Sequence, residues 1–494
     1  PTAAQWAETR LHAVREWEKQ NPYPNFIFPD NIRQTLADTA SPSPEEIRDI
    51  IQKARNQATS GQLLGAVDVA KLCNCQDPEL WEAIFETANW IKRTVYGNRV
   101  VLFAPLYIAS HCVNNCAYCG FRKSNTAVQS TALNREELER ETLALVREGH
   151  KRLIAVYGEH PVSDVDYMCE TIETIYQTRE NHDEIRRVNV NAAPLHVDEY
   201  RQVHDIGIGT YQVFQETYDP DMYSRVHPKN TIKGQYDWRV FSLHRALEAG
   251  IDDVAIGALF GLTDWRFEMM GLHAHAAALE DQFNIGPHTI SYPRLEPALN
   301  TPLAIHPRHR VSDDDFKKIV AIIRLMCPYT GSILTAREEP DLRMDVLENG
   351  GVSQMDAGSR IALGGYARME QDNIPDEEQF MIQDTRNLDE FILDLCKRGY
   401  LPSFCTAGYR EGRTGANFMP LAKHASVKYF CIANGILTFQ EYLLDHASET
   451  VRQIGTDTVI PSHLTWLESE KPDLAKQVVE NLERMNHQSR DLHF

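Results

Sequence analysis

The chain has 494 residues and a mass of 56.4 kDa, too many for one ordinary compact domain but within reach of a barrel of about 250 residues with extensions. Hydrophobic residues make up 43% and charged residues 24%, and the 26 glycines and 24 prolines are scattered rather than repeated, which excludes collagen-like and low-complexity classes. Fifty Lys and Arg against seventy Asp and Glu leave a net charge of −20, the wrong sign for a phosphate-backbone partner, so no nucleic acid is expected. No stretch reaches the ~18 apolar residues of a membrane span and no basic-then-apolar leader opens the sequence. A cytoplasmic chain with no membrane partner is the expectation.

The first hundred residues predict helices. Ala3 to Gln20 is rich in helix formers, and Ser43-Pro44-Glu45-Glu46 supplies a cap, an early proline and acidic residues for a helix from Pro44 to Thr59. From Arg99 the period changes to a short apolar run, 100–107, of the kind a buried parallel strand presents. Asn134-Arg135-Glu136-Glu137 is a capping-box signal for a helix towards Gly149, and a strand follows at 152–157. The alternation continues through strands near 187–191, 210–214, 252–258, 288–292, 332–336 and 352–356, with helices such as Trp238 to Ala249 and Asp314 to Met326 between them.

Eight strands alternating with helices predict an α/β fold, a (β/α)8 barrel of the TIM type. Helices at Asn387 to Arg398, Thr438 to Ala447 and Pro472 to Met485, and an aperiodic Gly- and Arg-rich stretch from Ser403 to Leu421, mark a mainly helical C-terminal domain. The expected division is an N-terminal helical extension over 1–97, the barrel over 98–365 and the C-terminal domain over 366–494.

The ten cysteines fall far below the ~8–10% of a disulfide scaffold, so spacing decides their meaning. Cys112, Cys116 and Cys119 follow the first barrel strand directly, on the face where such barrels carry active sites. Three thiolates within eight residues do not close a structural zinc site, whereas an iron–sulfur cube on three cysteines keeps one iron open.

This spacing, with Tyr118 just before the third cysteine, resembles the radical S-adenosylmethionine (radical SAM) superfamily. The resemblance implies a [4Fe-4S] cluster on Cys112, Cys116 and Cys119, S-adenosylmethionine chelated at the open iron, and a 5′-deoxyadenosyl radical from its reductive cleavage. Gly158-Glu159 ends the second strand where the superfamily binds the methionine amino group, which implies cofactor roles for Tyr118, Gly158 and Glu159. Asn189 to Pro194, Gly209 to Tyr218 and His288 to Ala298 look like the tyrosine-lyase branch, and the C-terminal region is similar to its [FeFe]-hydrogenase maturase (2-iminoacetate synthase) type. The implied reaction takes a hydrogen atom from the amino group of L-tyrosine and breaks the Cα–Cβ bond, giving p-cresol and dehydroglycine. Reduced ferredoxin or flavodoxin is the implied electron donor. Alternatives are a lyase for another aromatic amino acid, such as tryptophan, and a degenerate maturation scaffold.

A substrate carboxylate calls for a bidentate donor, and Arg294 after the sixth strand is the candidate, against a rim salt bridge. Glu216, ending the fourth strand, is the candidate for the ribose hydroxyls or amino group of the cofactor. In the family a second cluster occupies Cys-x2-Cys-x22-Cys. Here Cys405 and Cys431 are present, but Gly408 stands in the middle position, with 22 residues between it and Cys431. A conventional second cluster is therefore in question, as is later formation of carbon monoxide and cyanide. A cluster with a non-protein ligand, a smaller cluster, or none are the open outcomes for this degenerate iron–sulfur site. His275 aligns with a family histidine near the labile iron, with a helix-surface role as the alternative.

Overall fold

The computed structural model describes residues 2–368 and 378–494. Eight parallel strands form the barrel: β1 (Arg99–Ala109), β2 (Arg152–Tyr157), β3 (Arg187–Asn191), β4 (Tyr211–Gln212), β5 (Val254–Gly257), β6 (Thr289–Ser291), β7 (Gly331–Leu334) and β8 (Gln354–Asp356). Each pairs with the next in sequence, and β8 pairs with β1 in register Val101↔Gln354, which closes the sheet. All eight coincide with the strands expected from hydrophobic runs, although the fourth shortens to two residues.

Local chemistry explains the helices. Asn134 caps Arg135–Glu148 through a complete capping box, and Gly149, in the left-handed region at φ 100°, stops that helix. Ser43 does the same for Pro44–Gln57. The helix expected from Trp238 to Ala249 breaks at Phe241 into Tyr236–Val240 and Ser242–Glu248. The helix expected from Thr438 is longer, Val427–Asp445. Residues 369–377, between β8 and the C-terminal segment, lie outside the described residues.

A ninth strand, β9 (Leu401–Ser403), was not legible in the sequence. It pairs with the first residues of β1, Arg99↔Leu401 to Val101↔Ser403. Val101 meets β8 on one side and β9 on the other, so β9 lies on the β2 side of β1, before the β2 pairing starts at Ala104. Pro402 fits this ladder because a short edge strand tolerates a missing donor. The C-terminal segment is thus tied to the foot of the barrel, and the residues after β9 are delivered to the N-terminal ends of the strands.

A buried ion cluster reinforces that joint. Glu441, 2% exposed on the helix Val427–Asp445, accepts from both Nη atoms of Arg186 at 3.1 and 2.6 Å and lies 3.4 Å from Lys151 Nζ. Replacing Glu441 by Ala leaves Lys151 to Asp183 and Arg186 to Asp491 at 3.3 Å alone, so Glu441→Ala should lower unfolding stability by about 3 kcal/mol, the lower end for a broken buried pair, read from the denaturation midpoint.

Candidate active site at the barrel mouth

The C-terminal ends of the strands surround a cavity of about 220 Å³. Cys112, Cys116 and Cys119 all line it, on the loop that leaves β1, together with Tyr118, Gly158, Glu159 and Glu216. The loop is held by its backbone: Val113 N–H donates to Glu159 O at 2.8 Å and Ala117 N–H to Val226 O at 3.0 Å. Asn114 braces it from within, donating to Glu159 Oε2 at 2.6 Å and accepting from Lys233 N–H at 2.9 Å. Tyr118 is buried with its hydroxyl 2.8 Å from His227 Nε2. At Gly158 a Cβ would sit 2.2 Å from the His111 carbonyl oxygen, so only glycine lets β2 end against the cysteine loop.

The charges here are paired or poised. Glu216 has φ 71° and accepts from Lys233 Nζ at 2.8 Å and Arg239 Nη2 at 3.3 Å. Burial alone would raise its carboxyl, but these two cations hold it below its ordinary value. Glu159 is raised by burial, partly offset by Asn114, and its Oε1 is buried with no partner. Burial, with Cys119 and Cys112 as neighbours against the opposing Lys233, pushes the Cys116 thiol up to about 12. Three thiols lining one cavity, Cys116 buried and Cys112 and Cys119 half-buried, and an orphaned carboxylate oxygen fit a soft metal cluster and a cationic ligand.

Arg294 is not in this cavity. Its Nε donates to Glu338 at 3.0 Å, Nη2 also meets Glu338, and Nη1 donates to Val311 O at 3.0 Å and Asp313 at 2.9 Å. The fork that was to take a substrate carboxylate is filled by Glu338, and the side chain lines a separate cavity of about 630 Å³. The arginine that lines the central cavity is Arg337, which sequence reasoning missed. Its guanidinium lies 3.4 Å over the Phe380 ring, and Nη1 donates to the Arg294 carbonyl at 3.3 Å. Glu296 stands beside it, pushed up to about 7 by burial and Glu338.

Comparison with known proteins places this arrangement. Residues 106–272 match the radical SAM superfamily model, and 291–401 match the biotin and thiamin synthesis associated domain. A crystal structure of HydG, a maturase of the [FeFe]-hydrogenase, superposes with TM-score 0.90 at 42% identity, covering 95% of this chain and all of that one. The chain belongs to the radical SAM superfamily, in the HydG and 2-iminoacetate synthase branch. HydG from Carboxydothermus hydrogenoformans matches at TM-score 0.77 and 36% identity over 96% of this chain and 99% of that one. The 2-iminoacetate synthase of Escherichia coli strain K12 is 30% identical over 65% of this chain and 81% of its own length. As a radical SAM enzyme of this branch, the chain uses a [4Fe-4S] cluster and S-adenosylmethionine. Among the described residues, no helix is long and apolar enough to cross a membrane.

A third cavity, about 60 Å³, lies at the foot of the barrel. Cys405, Gly408 and Cys431 all line it, so the two C-terminal cysteines and the glycine between them do come together. His275 does not join them. Its helix, Trp265–Phe283, turns it towards the N-terminal extension, where it stacks on Phe26 at 5.1 Å and meets the Tyr218 hydroxyl at 2.8 Å. The histidine in the lower cavity is His288, at the start of β6 and hidden in the sequence among strand residues.

The Gly158 contact yields a test of the mouth. Gly158→Ala forces the His111 carbonyl and the cysteine loop apart, so cleavage of S-adenosylmethionine after anaerobic reconstitution should fall roughly tenfold while the far-ultraviolet circular dichroism stays unchanged.

Proposed function

We propose that this radical SAM enzyme is a lyase that breaks the Cα–Cβ bond of L-tyrosine, giving p-cresol and dehydroglycine (2-iminoacetate). The observation that carries it is the full-length likeness to HydG combined with a cavity that unites three cysteines, an orphaned carboxylate and a stacked arginine. When bound, the cluster on Cys112, Cys116 and Cys119 and the S-adenosylmethionine supply a 5′-deoxyadenosyl radical. The remaining roles fall to the chain itself. Glu159 Oε1 accepts from the methionine ammonium, Lys233 and Arg239 face the methionine carboxylate, and Glu216 serves the ribose hydroxyls. Arg337, its plane fixed by Phe380, takes the tyrosine carboxylate as a fork. Phe103, Ile154 and Ile333 form an apolar floor that keeps water from the reacting centre.

Reduced ferredoxin or flavodoxin is the class of donor such a cluster needs. All ten cysteines are unpaired, which suits the reducing cytoplasm. Tryptophan cleavage or a scaffold role finds no support among the relatives. The reading stops at dehydroglycine, because Gly408 breaks the three-cysteine set on which the family's later chemistry rests.

Anaerobic reconstitution followed by assay with tyrosine, S-adenosylmethionine and a reductant should release p-cresol. Formation of 5′-deoxyadenosine without p-cresol would overturn the tyrosine assignment. Arg337→Lys keeps the charge but loses the fork, so KM for tyrosine should rise roughly tenfold to a hundredfold, the equivalent of about 1.5–3 kcal/mol. Substrate-free cleavage of S-adenosylmethionine should persist.

Glu296 predicts a pH dependence. Below about 7 its carboxyl is protonated and leaves Arg337 to the substrate, whereas above that value the carboxylate competes for the guanidinium. KM for tyrosine should climb as pH rises through 7, and Glu296→Gln should flatten the rise.

A further inference from the structure

Three segments meet at the cysteine end of the barrel mouth, 110–134, 222–236 and 297–312, and together they hold seven Lys and Arg and no Asp or Glu. Seventy of the 494 residues are acidic, so stretches of this combined length would carry about eight acids at the chain's average. Hydrogen bonds stitch the three into one rim. Ala117 N–H donates to Val226 O at 3.0 Å, Lys233 N–H to Asn114 Oδ1 at 2.9 Å, Asn125 Nδ2 to Leu299 O at 3.0 Å and Arg122 Nη1 to Thr301 Oγ1 at 2.8 Å. Cys119, Met222 and Leu303 pack on the same small apolar cluster, built on Cys116 and Tyr118.

Cofactor binding does not account for the charge of this rim. Of its seven cations only Lys233 lines the cavity, and Arg122 is spent on the loop, donating to the Cys119 carbonyl at 3.1 Å. Lys123, Arg225, Lys229, Arg308 and Arg310 are exposed, and none is ion-paired among the described residues. The acids nearest to the second segment, Asp219 and Asp221, face Arg33 at 3.1 and 4.0 Å. A chain of net charge −20 thus turns an unpaired cationic collar to solvent at the edge where a cluster ligand nears the surface, Cys119 being half-buried and four residues from Lys123.

We propose that this collar is the docking surface of an acidic one-electron carrier protein, which reduces the cluster through Cys119. In that step one electron leaves the carrier, oxidising it, and enters the cluster; no bond forms or breaks and no proton moves. Two physical demands converge on the collar. Electron tunnelling falls steeply with distance, so the carrier must settle on the surface over the cluster ligands, and the Arg122 N–H on the Cys119 carbonyl at 3.4 Å ties that ligand's backbone to the collar. A strongly acidic chain repels an acidic carrier except where its own acids are missing, so the collar steers the encounter as well as holding it. The inference rests on the reading that a protein supplies the electron, and not on which amino acid is cleaved.

The test reverses three exposed charges of the holoenzyme together, Lys123→Glu, Arg225→Glu and Arg308→Glu. Lys397→Glu, Lys476→Glu and Arg484→Glu, at exposed positions of the C-terminal helices, make the same change of net charge as the control. Substrate-free formation of 5′-deoxyadenosine is followed with reduced flavodoxin, with a reduced acidic ferredoxin and with photoreduced deazariboflavin, an uncharged donor too small to need a dock. At low salt the collar variant should lose roughly tenfold to a hundredfold in kcat/KM for at least one carrier, with a similar rise in the Kd of the oxidised carrier, while its deazariboflavin rate and the control variant stay within about twofold of the parent. The parent's rate with that carrier should fall as salt rises from about 0.05 to 0.5 M. Equal carrier rates in the collar and control variants, a carrier rate indifferent to salt, or an equal loss with deazariboflavin would each overturn the dock. Turnover with deazariboflavin but with neither carrier would overturn the reading of a protein donor, and the dock with it.

Discussion

Hydrogen bonding along one strand sets the positions of both thiol groups. β1 runs for eleven residues, roughly 30 Å at the rise of a strand, whereas the other barrel strands have two to six. Its first residues pair with β9, its middle with β8 and its last with β2. The register that delivers Cys112 to the mouth therefore also holds β9, and with it Cys405, at the foot. A one-residue slip of β1 would exchange its inward and outward faces and move Phe103 out of the barrel. The closed sheet leaves no freedom for that, because β1 is fixed on both sides.

The sequence made much of this legible, for a physical reason. Parallel barrel strands are buried on both faces, so they appear as apolar runs between helical periods, and the eight runs were separable. The cysteine loop was legible because its ligands are local, three thiols within eight residues. β9 was not, since three residues containing a proline carry no period. Arg294 and Arg337 each follow a strand end, and nothing local tells which one turns inward. That choice is made by Glu338, which captures Arg294 across 44 positions of sequence. His275 and His288 divide in the same way: one lies on a helix whose buried face meets the N-terminal extension, the other at the start of a strand that opens on the lower cavity.

The two ends of the barrel differ in electrostatics, and an apolar layer is what allows it. Phe103, Ile154 and Ile333 form a cluster of their own, apart from the main core. Arg152 lies two positions before Ile154 on β2 and donates to Gln354 Oε1 at 2.9 Å, and Gln354 faces the lower cavity. The interior thus passes from apolar to cationic within about 7 Å of strand.

Across such a layer, buried charges do not borrow compensation from water, so each end must be balanced where it stands. At the mouth the chain supplies the balance itself: Glu159, Glu216 and Glu296 face Lys233, Arg239 and Arg337 in one cavity. Substrate and cofactor enter a neutral setting in which each new charge meets its opposite. At the foot, Arg187 and His288 share Asp253, and the neighbouring Arg99 and Arg152 keep buried N–H groups without a partner. Loss of a thiolate at position 408 removes an anion from the end already short of them. The positive excess is therefore a property of the barrel's foot and not of the missing cysteine. A site built this way retains its demand for an anionic occupant after one of its ligands has gone.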